Sequence, residues 1–211
     1  MTPFRRHENL LLLAIGAACM LVSAIRPFDW LTWWLEVLPA IVGAGILMAI
    51  HRRFPFTPLV YRLVLIHALI LILGAHYSYA RVPLGFWMQD VLDLSRNPYD
   101  RVGHFAQGFF PAIIAREVLL RCTPLVRGKW LFFLVVCVCL AFSAFYEFTE
   151  WWAALAGGES AEAFLGTQGD VWDTQWDMFM AMLGAISAQI LLSGVHDRAL
   201  AKLNKEAAVS V

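Results

Sequence analysis

Three segments of this 211-residue chain set acids and an imidazole at helical spacing among apolar neighbours. His104 and Gln107 stand three apart, as do Glu147 and Glu150 and again Asp170 and Asp173, while Asp177 follows Asp173 by four. Residues at these separations share one face of a helix, so each set points its polar groups one way. Carboxylates stacked like this repel unless they hold protons, pair with a cation or bind a metal. Arg101, one turn before His104 and adjacent to Asp100, is the nearest counter-ion, and one guanidinium does not neutralise five acids. The pattern suits a divalent cation with acid–base chemistry beside it. His104, Glu147, Asp173 and Asp177 form the metal-ligating or polar cluster, Asp100, Arg101, Gln107 and Asp170 support it, and Glu150 is the general base toward water activated there. Mixed carboxylate and imidazole donors suit zinc, manganese or iron better than a soft metal.

Plainer readings stand beside these. Asp170 fits the N-cap of the helix that follows, because an Asp oxygen accepts from orphan helix amides. Glu150 and Asp173 lie near a membrane interface, where solvation is explanation enough, and an isolated His104 would be a packing residue. Glu36 and His76 stand where either can complete the cluster, whereas His67 lies alone near mid-membrane and is expected to hydrogen-bond a neighbour.

The elements that must position these groups follow from composition. The chain is 60% hydrophobic and 15% charged, with a mean hydropathy of +0.65, which is more apolar surface than a soluble domain of this length can bury. Its net charge is zero and no segment holds a basic block, which excludes a nucleic-acid partner. Cys19, Cys122, Cys137 and Cys139 lie in or beside apolar stretches, and the one close pair is C-x-C, whose side chains diverge on a helix. Neither a disulfide framework nor a zinc ribbon is indicated. Arg5-Arg6 precedes an apolar run that continues to Ile25 without a small-x-small cleavage site, so it reads as a retained first span.

A helix needs about 20 apolar residues to cross the hydrocarbon core. By that ruler residues 1–211 form one all-α integral membrane domain, a polytopic bundle of about six spans near 9–25, 31–50, 59–79, 102–120, 130–155 and 171–194. Residues 80–100 form an outer connector, either an interfacial helix or a lid, and 195–211 a cytoplasmic tail. Arg52, Arg53, Arg121, Arg127, Lys129, Arg198, Lys202 and Lys205 fall on the same side as Arg5 and Arg6, which places both termini in the cytoplasm. Arg62 and Arg116, close to the inner ends of their spans, are expected to snorkel. All three polar sets then arrive in the outer part of the membrane. Gly103, Gly108, Gly157, Gly158 and Gly184 read as helix-packing positions.

The runs Tyr99 to Gly108, Phe145 to Trp151 and Thr167 to Asp177 carry a resemblance. They look like the YjdF-like family of bacterial inner-membrane proteins, which implies a multi-pass protein of that membrane without an established activity. Asp100-Arg101, His104-Phe105, Tyr146-Glu147 and Asp177 are also remotely similar to VanZ-like membrane proteins, associated with glycopeptide-antibiotic tolerance. The Asn and Gln that usually follow that last Asp and that Glu are not obvious here. The D-x-x-D-x-x-x-D run lacks the Gly and Ala-Arg of CDP-alcohol phosphotransferases, and no second D-x-x-D stands where a prenyltransferase needs it.

Three function classes remain. One is a metal-dependent enzyme at the outer leaflet acting on a lipid or lipid-linked envelope precursor. Another is a non-catalytic membrane component or lipid-binding module, which needs the same convergent pocket and is not separable from the enzyme by sequence. The third, an ion- or proton-coupled carrier, is demoted because the inner halves of the spans read as almost wholly apolar and no inverted repeat is evident.

Overall fold

The computed structural model describes residues 3–157 and 167–209. Among the described residues there are seven α-helices and no strand: α1 (Pro3–Ser23), α2 (Trp30–Ile50), α3 (Pro58–Tyr77), α4 (Pro83–Val91), α5 (Tyr99–Cys122), α6 (Lys129–Gly157) and α7 (Asp173–Val209). Local chemistry sets the breaks. Asp29 caps α2 by accepting from the Thr32 N–H at 2.8 Å. Pro58 and Pro83 open α3 and α4, where a missing N–H costs nothing. Ser78, at φ 64°, turns the chain out of α3 into a short 3-10 turn, Tyr79–Arg81. The bundle end reached by residues 24–29 and 78–98 is here called upper, and the end reached by 51–57 and 123–128 lower.

α2, α3, α6 and α7 are long and apolar enough to cross a membrane, and α1 offers a shorter apolar stretch, His7–Ser23. α5 differs because it carries Asp100, Arg101, Arg116, Glu117 and Arg121. It can do so because α3, α6 and α7 surround it, so its charges face protein instead of lipid. α1 and α2 are held at the periphery through α3. The apolar side chains Leu38, Ile41, Val42, Ile46 and Met48 of α2 are exposed, as a lipid-facing surface requires. α4 sits in the upper connector with Leu84, Phe86, Trp87 and Val91 exposed.

The tightest seam runs between α5 and α7. A Cβ on Gly108 would overlap the Ala181 carbonyl oxygen, and one on Gly184 would overlap that of Phe105, so the two backbones touch where any side chain would part them. Gly158, also expected to pack, lies outside the described residues.

Below that seam the structure corrects two expectations. The lower halves of α5 and α7 are not apolar: Glu117, fully buried, accepts from the Thr57 N–H at 3.0 Å, the Thr57 hydroxyl at 2.8 Å, Arg121 at 2.8 Å and His196 Nε2 at 3.0 Å. Nor does Arg116 snorkel. It is 5% exposed, donates to His196 Nδ1 at 2.8 Å and pairs with Asp197 at 2.8 Å, because partners on α7 satisfy it better than a reach to solvent would. His67 departs as well: its buried Nε2 has no hydrogen-bond partner and its ring stacks on Phe110.

Candidate functional site

At the upper end, His104 projects from α5 into the space between α6 and α7 and is 5% exposed. Its Nδ1 lies 3.2 Å from Gln107 Oε1, one turn further along the same helix. An amide oxygen only accepts, so Nδ1 carries a ring proton, and in the neutral ring the lone pair is on Nε2. That nitrogen faces Asp100 Oδ1 at 3.7 Å and Asp177 Oδ2 at 3.9 Å, and Nδ1 faces Glu147 Oε1 at 3.7 Å. These separations are too long for hydrogen bonds. A lone pair aimed between two carboxylates is repulsive unless a proton or a cation stands among them.

Asp100, His104 and Asp177 each offer one ligand atom, all within 4.8 Å of one another, and all three side chains are buried. Ligands bonded to one zinc at about 2.0–2.2 Å lie a little closer together than that, so modest side-chain rotations close the shell. Asp177 Oδ1 and Glu147 Oε1 are buried without hydrogen-bond partners, as are Arg96 Nε and Nη2 and Arg101 Nε, so acceptors and guanidinium donors are both left unmatched in this cluster. Gln107 holds the Nδ1 side of the ring, the supporting role that orients metal-bound imidazoles. The donor set fits a hard or borderline divalent ion.

Other expected residues go elsewhere. Asp173 pairs with Arg96 Nη1 at 2.6 Å, and Asp170 pairs with Arg101 Nη2 at 2.7 Å, so these two acids are already neutralised. Asp170 also accepts from the Trp172 N–H at 3.0 Å, fastening the turn that leads into α7. Arg101 lies over the Trp176 ring, 5.0 Å from its centroid. Glu150 has the acids Glu147, Asp100, Glu36 and Asp177 near it, together with Tyr146. His76 stays apart, with its Nδ1 donating to the Ser23 carbonyl at 2.9 Å.

Two contributors were not singled out by the sequence reading as parts of the site. Arg96 touches Asp100 at 3.8 Å, Asp170 at 3.6 Å and Asp173, and it donates to the Thr167 carbonyl at 2.7 Å. Its four-residue spacing from Asp100 was a usable signal, obscured by the intervening Asn97-Pro98. Beside it Asn97 and Gln168 exchange hydrogen bonds at 3.2 and 2.9 Å, which clasps the upper connector to the approach to α7. The second contributor is the tyrosine pair that holds Glu36. Tyr79 and Tyr146 both hydrogen-bond this buried acid. The Tyr79 ring fits between Gly74 and Gly103, where a Cβ on either would collide with it. Tyr146 lies edge-on to the His104 ring at 6.1 Å, so Glu36 reaches the cluster through it.

The sequence matches the family described as a predicted membrane protein (DUF2238) over residues 8–198. It is 53% identical over 181 residues to the inner membrane protein YjdF of Escherichia coli (strain K12), covering 86% of this chain and 87% of that protein. No solved structure matches. Of the two resemblances drawn from the motifs, the YjdF-like one is borne out.

Proposed function

The chain belongs to the DUF2238 family of predicted membrane proteins and is a multi-pass inner-membrane protein; from that premise we propose that its upper cluster binds one divalent cation and acts on a lipid or lipid-linked envelope precursor. Asp100, His104 and Asp177 would hold the ion, with Glu147 beside them on the Nδ1 side of the imidazole. The single observation that carries this reading is His104 Nε2 set between two buried carboxylates at 3.7 and 3.9 Å with a hydrogen bond to neither. Zinc, manganese or iron suits the donors. Bound there, such an ion would polarise an ester or phosphoester oxygen.

The chain's own residues supply the rest. Glu150, less buried than the ligands, takes the proton from the attacking water. Arg101, 27% exposed at the side chain, stands at the margin where an anionic head group would enter. Phe148, Trp151, Trp172 and Trp176 are exposed around the same level, so an acyl-chain-bearing molecule can approach along the bilayer. With both termini in the cytoplasm, this level is the outer leaflet.

Elemental analysis of detergent-purified protein after a brief chelator wash, paired with a lipid extract of the same sample, tests the proposal. One zinc, manganese or iron per chain, absent from a His104→Gln protein, is the expected result. Protein without metal, folded and indifferent to added zinc or manganese, would remove the cation. Metal with no turnover of extracted lipids would favour a non-catalytic lipid-binding component.

A further inference from the structure

The lower network has a property that the cation site does not need and does not explain. Arg116 can only donate, so the His196 Nδ1 that it contacts at 2.8 Å must accept, and His196 Nε2 must then carry the proton that it gives to Glu117 at 3.0 Å. Both His196 and Glu117 are fully buried. The imidazole is therefore held neutral in one tautomer, bridging a guanidinium and a carboxylate of the same helix, α5, from its place on α7.

Among the described residues, the charged groups joined to this ring's network by hydrogen bonds or ion pairs come from three elements. α5 contributes Arg116, Glu117 and Arg121; α7 itself contributes Asp197; and the 123–128 turn contributes Arg127, which pairs with Asp197 at 2.9 Å. Thr57 closes the circle from the 51–57 turn without a charge, and beyond it the Tyr61 hydroxyl of α3 contacts His51 at 2.8 Å. Three guanidiniums already face two carboxylates. A second proton on His196 would raise that excess and would point an N–H at the Arg116 N–H, ending that hydrogen bond. Arg121, Asp197 and Arg127 extend the network to the lower surface at 23%, 32% and 58% side-chain exposure.

We propose that Arg116, His196 and Glu117 form a pH-sensitive latch on the lower ends of α5 and α7, closed while His196 is neutral and opened by its protonation. The chemical step is the addition of one proton from solution to Nδ1, with loss of the Arg116 bond and no other covalent change. Its reach comes from the fold. α5 and α7 carry the latch below and Asp100, His104, Asp173 and Asp177 above, joined by the Gly108–Gly184 seam. Opening the latch removes one of the α5–α7 contacts at this end, leaving Arg116–Asp197 and His196–Glu117, and so loosens the lower ends of the two helices that hold the upper cluster. The device stands whether or not that cluster binds a metal.

The test compares thermal unfolding midpoints of detergent-purified, chelator-treated wild type, His196→Gln and Arg116→Met between about pH 7.5 and about pH 5.5, the range in which imidazole takes up its second proton. His196→Gln keeps an N–H for Glu117 but cannot titrate, and Arg116→Met removes the donor that opposes protonation. All three share the same upper acids, so differences among their pH slopes belong to the latch. The wild-type midpoint should fall on acidification by about 3 °C or more relative to both variants. Equal slopes in all three would overturn the proposal. Should neither variant fold, amide exchange at Thr57 in the wild type decides, since that N–H is donated to Glu117. After correction for intrinsic pH dependence, lost protection at the lower pH is expected, and unchanged protection contradicts the latch.

Discussion

The two ends of the α5–α7 pair solve the same problem in opposite ways. The lower network sets Glu117 and Asp197 against Arg116, Arg121 and Arg127, and Glu117 accepts from four donors. The upper cluster gathers Glu36, Asp100, Glu147, Glu150, Asp170, Asp173 and Asp177 around Arg96, Arg101 and His104. It leaves Glu147 Oε1, Asp177 Oδ1, Arg96 Nε and Nη2 and Arg101 Nε without hydrogen-bond partners, whereas in the lower network Asp197 Oδ1 is the atom so placed among the described residues, and it is ion-paired to Arg116 and Arg127. The lower network has three guanidiniums against two carboxylates, whereas the upper cluster has more acids than bases, an excess that a bound cation would offset. Burial alone does not separate the two, since His104 and His196 are both inaccessible. The balance of donors and acceptors does.

The comparison predicts substitution effects of different size and sign. Glu117→Leu should be the most damaging, costing about 3–5 kcal/mol, because it strands His196, Arg121 and both Thr57 donors in the interior. Unfolding of the detergent-solubilised protein checks this, and a loss below about 1 kcal/mol would mean the network is not a fastening. Gly184→Ala should cost about 1–3 kcal/mol by forcing α7 off the Phe105 carbonyl. The same measurement after Gly194→Ala, a position with only Arg198 within reach, should register little.

At the upper end the sign should reverse. In chelator-treated protein Asp177→Asn removes one member of a like-charged group, so stability should hold or rise by about 1 kcal/mol, the scale of one pKa unit. A clear loss of stability without metal would make the upper cluster a second fastening and erase the contrast. Smallest of all should be Arg101→Gln, at about 0–1 kcal/mol, since its ion pair with Asp170 is partly solvated.

Much of the upper site was legible because its members repeat at helical spacing. His104 with Gln107, Glu147 with Glu150, and Asp173 with Asp177 each declare a face, and hydropathy placed those faces at one level. What the spacing did not reveal is how the acids divide between arginines and open space, since that depends on Arg96 reaching α7 from the far side of Pro98. The lower network was less legible still. Glu117 to Arg121 is a readable four-residue pair, but Thr57 and His196 lie 60 and 79 residues from Glu117 in sequence. Arg116 misleads for the same reason: a lone arginine near a span end predicts snorkelling, and only the packing of α7 supplies His196 and Asp197. The all-helical membrane fold was plain from composition and the length of the apolar runs, whereas the central position of α5 was masked by the charges that require it to be central.

The central claim is that the upper cluster lacks a positive charge that a divalent cation supplies. Calorimetric titration of manganese and of zinc into chelator-stripped, detergent-purified protein tests this most directly, run in parallel on wild type, Asp177→Asn and Glu117→Gln. Binding of one ion per chain by wild type, weakened at least about tenfold in Asp177→Asn, a loss of about 1.4 kcal/mol, and retained by folded Glu117→Gln is the predicted result. No saturable binding by wild type, or equal affinity in wild type and Asp177→Asn, would contradict it.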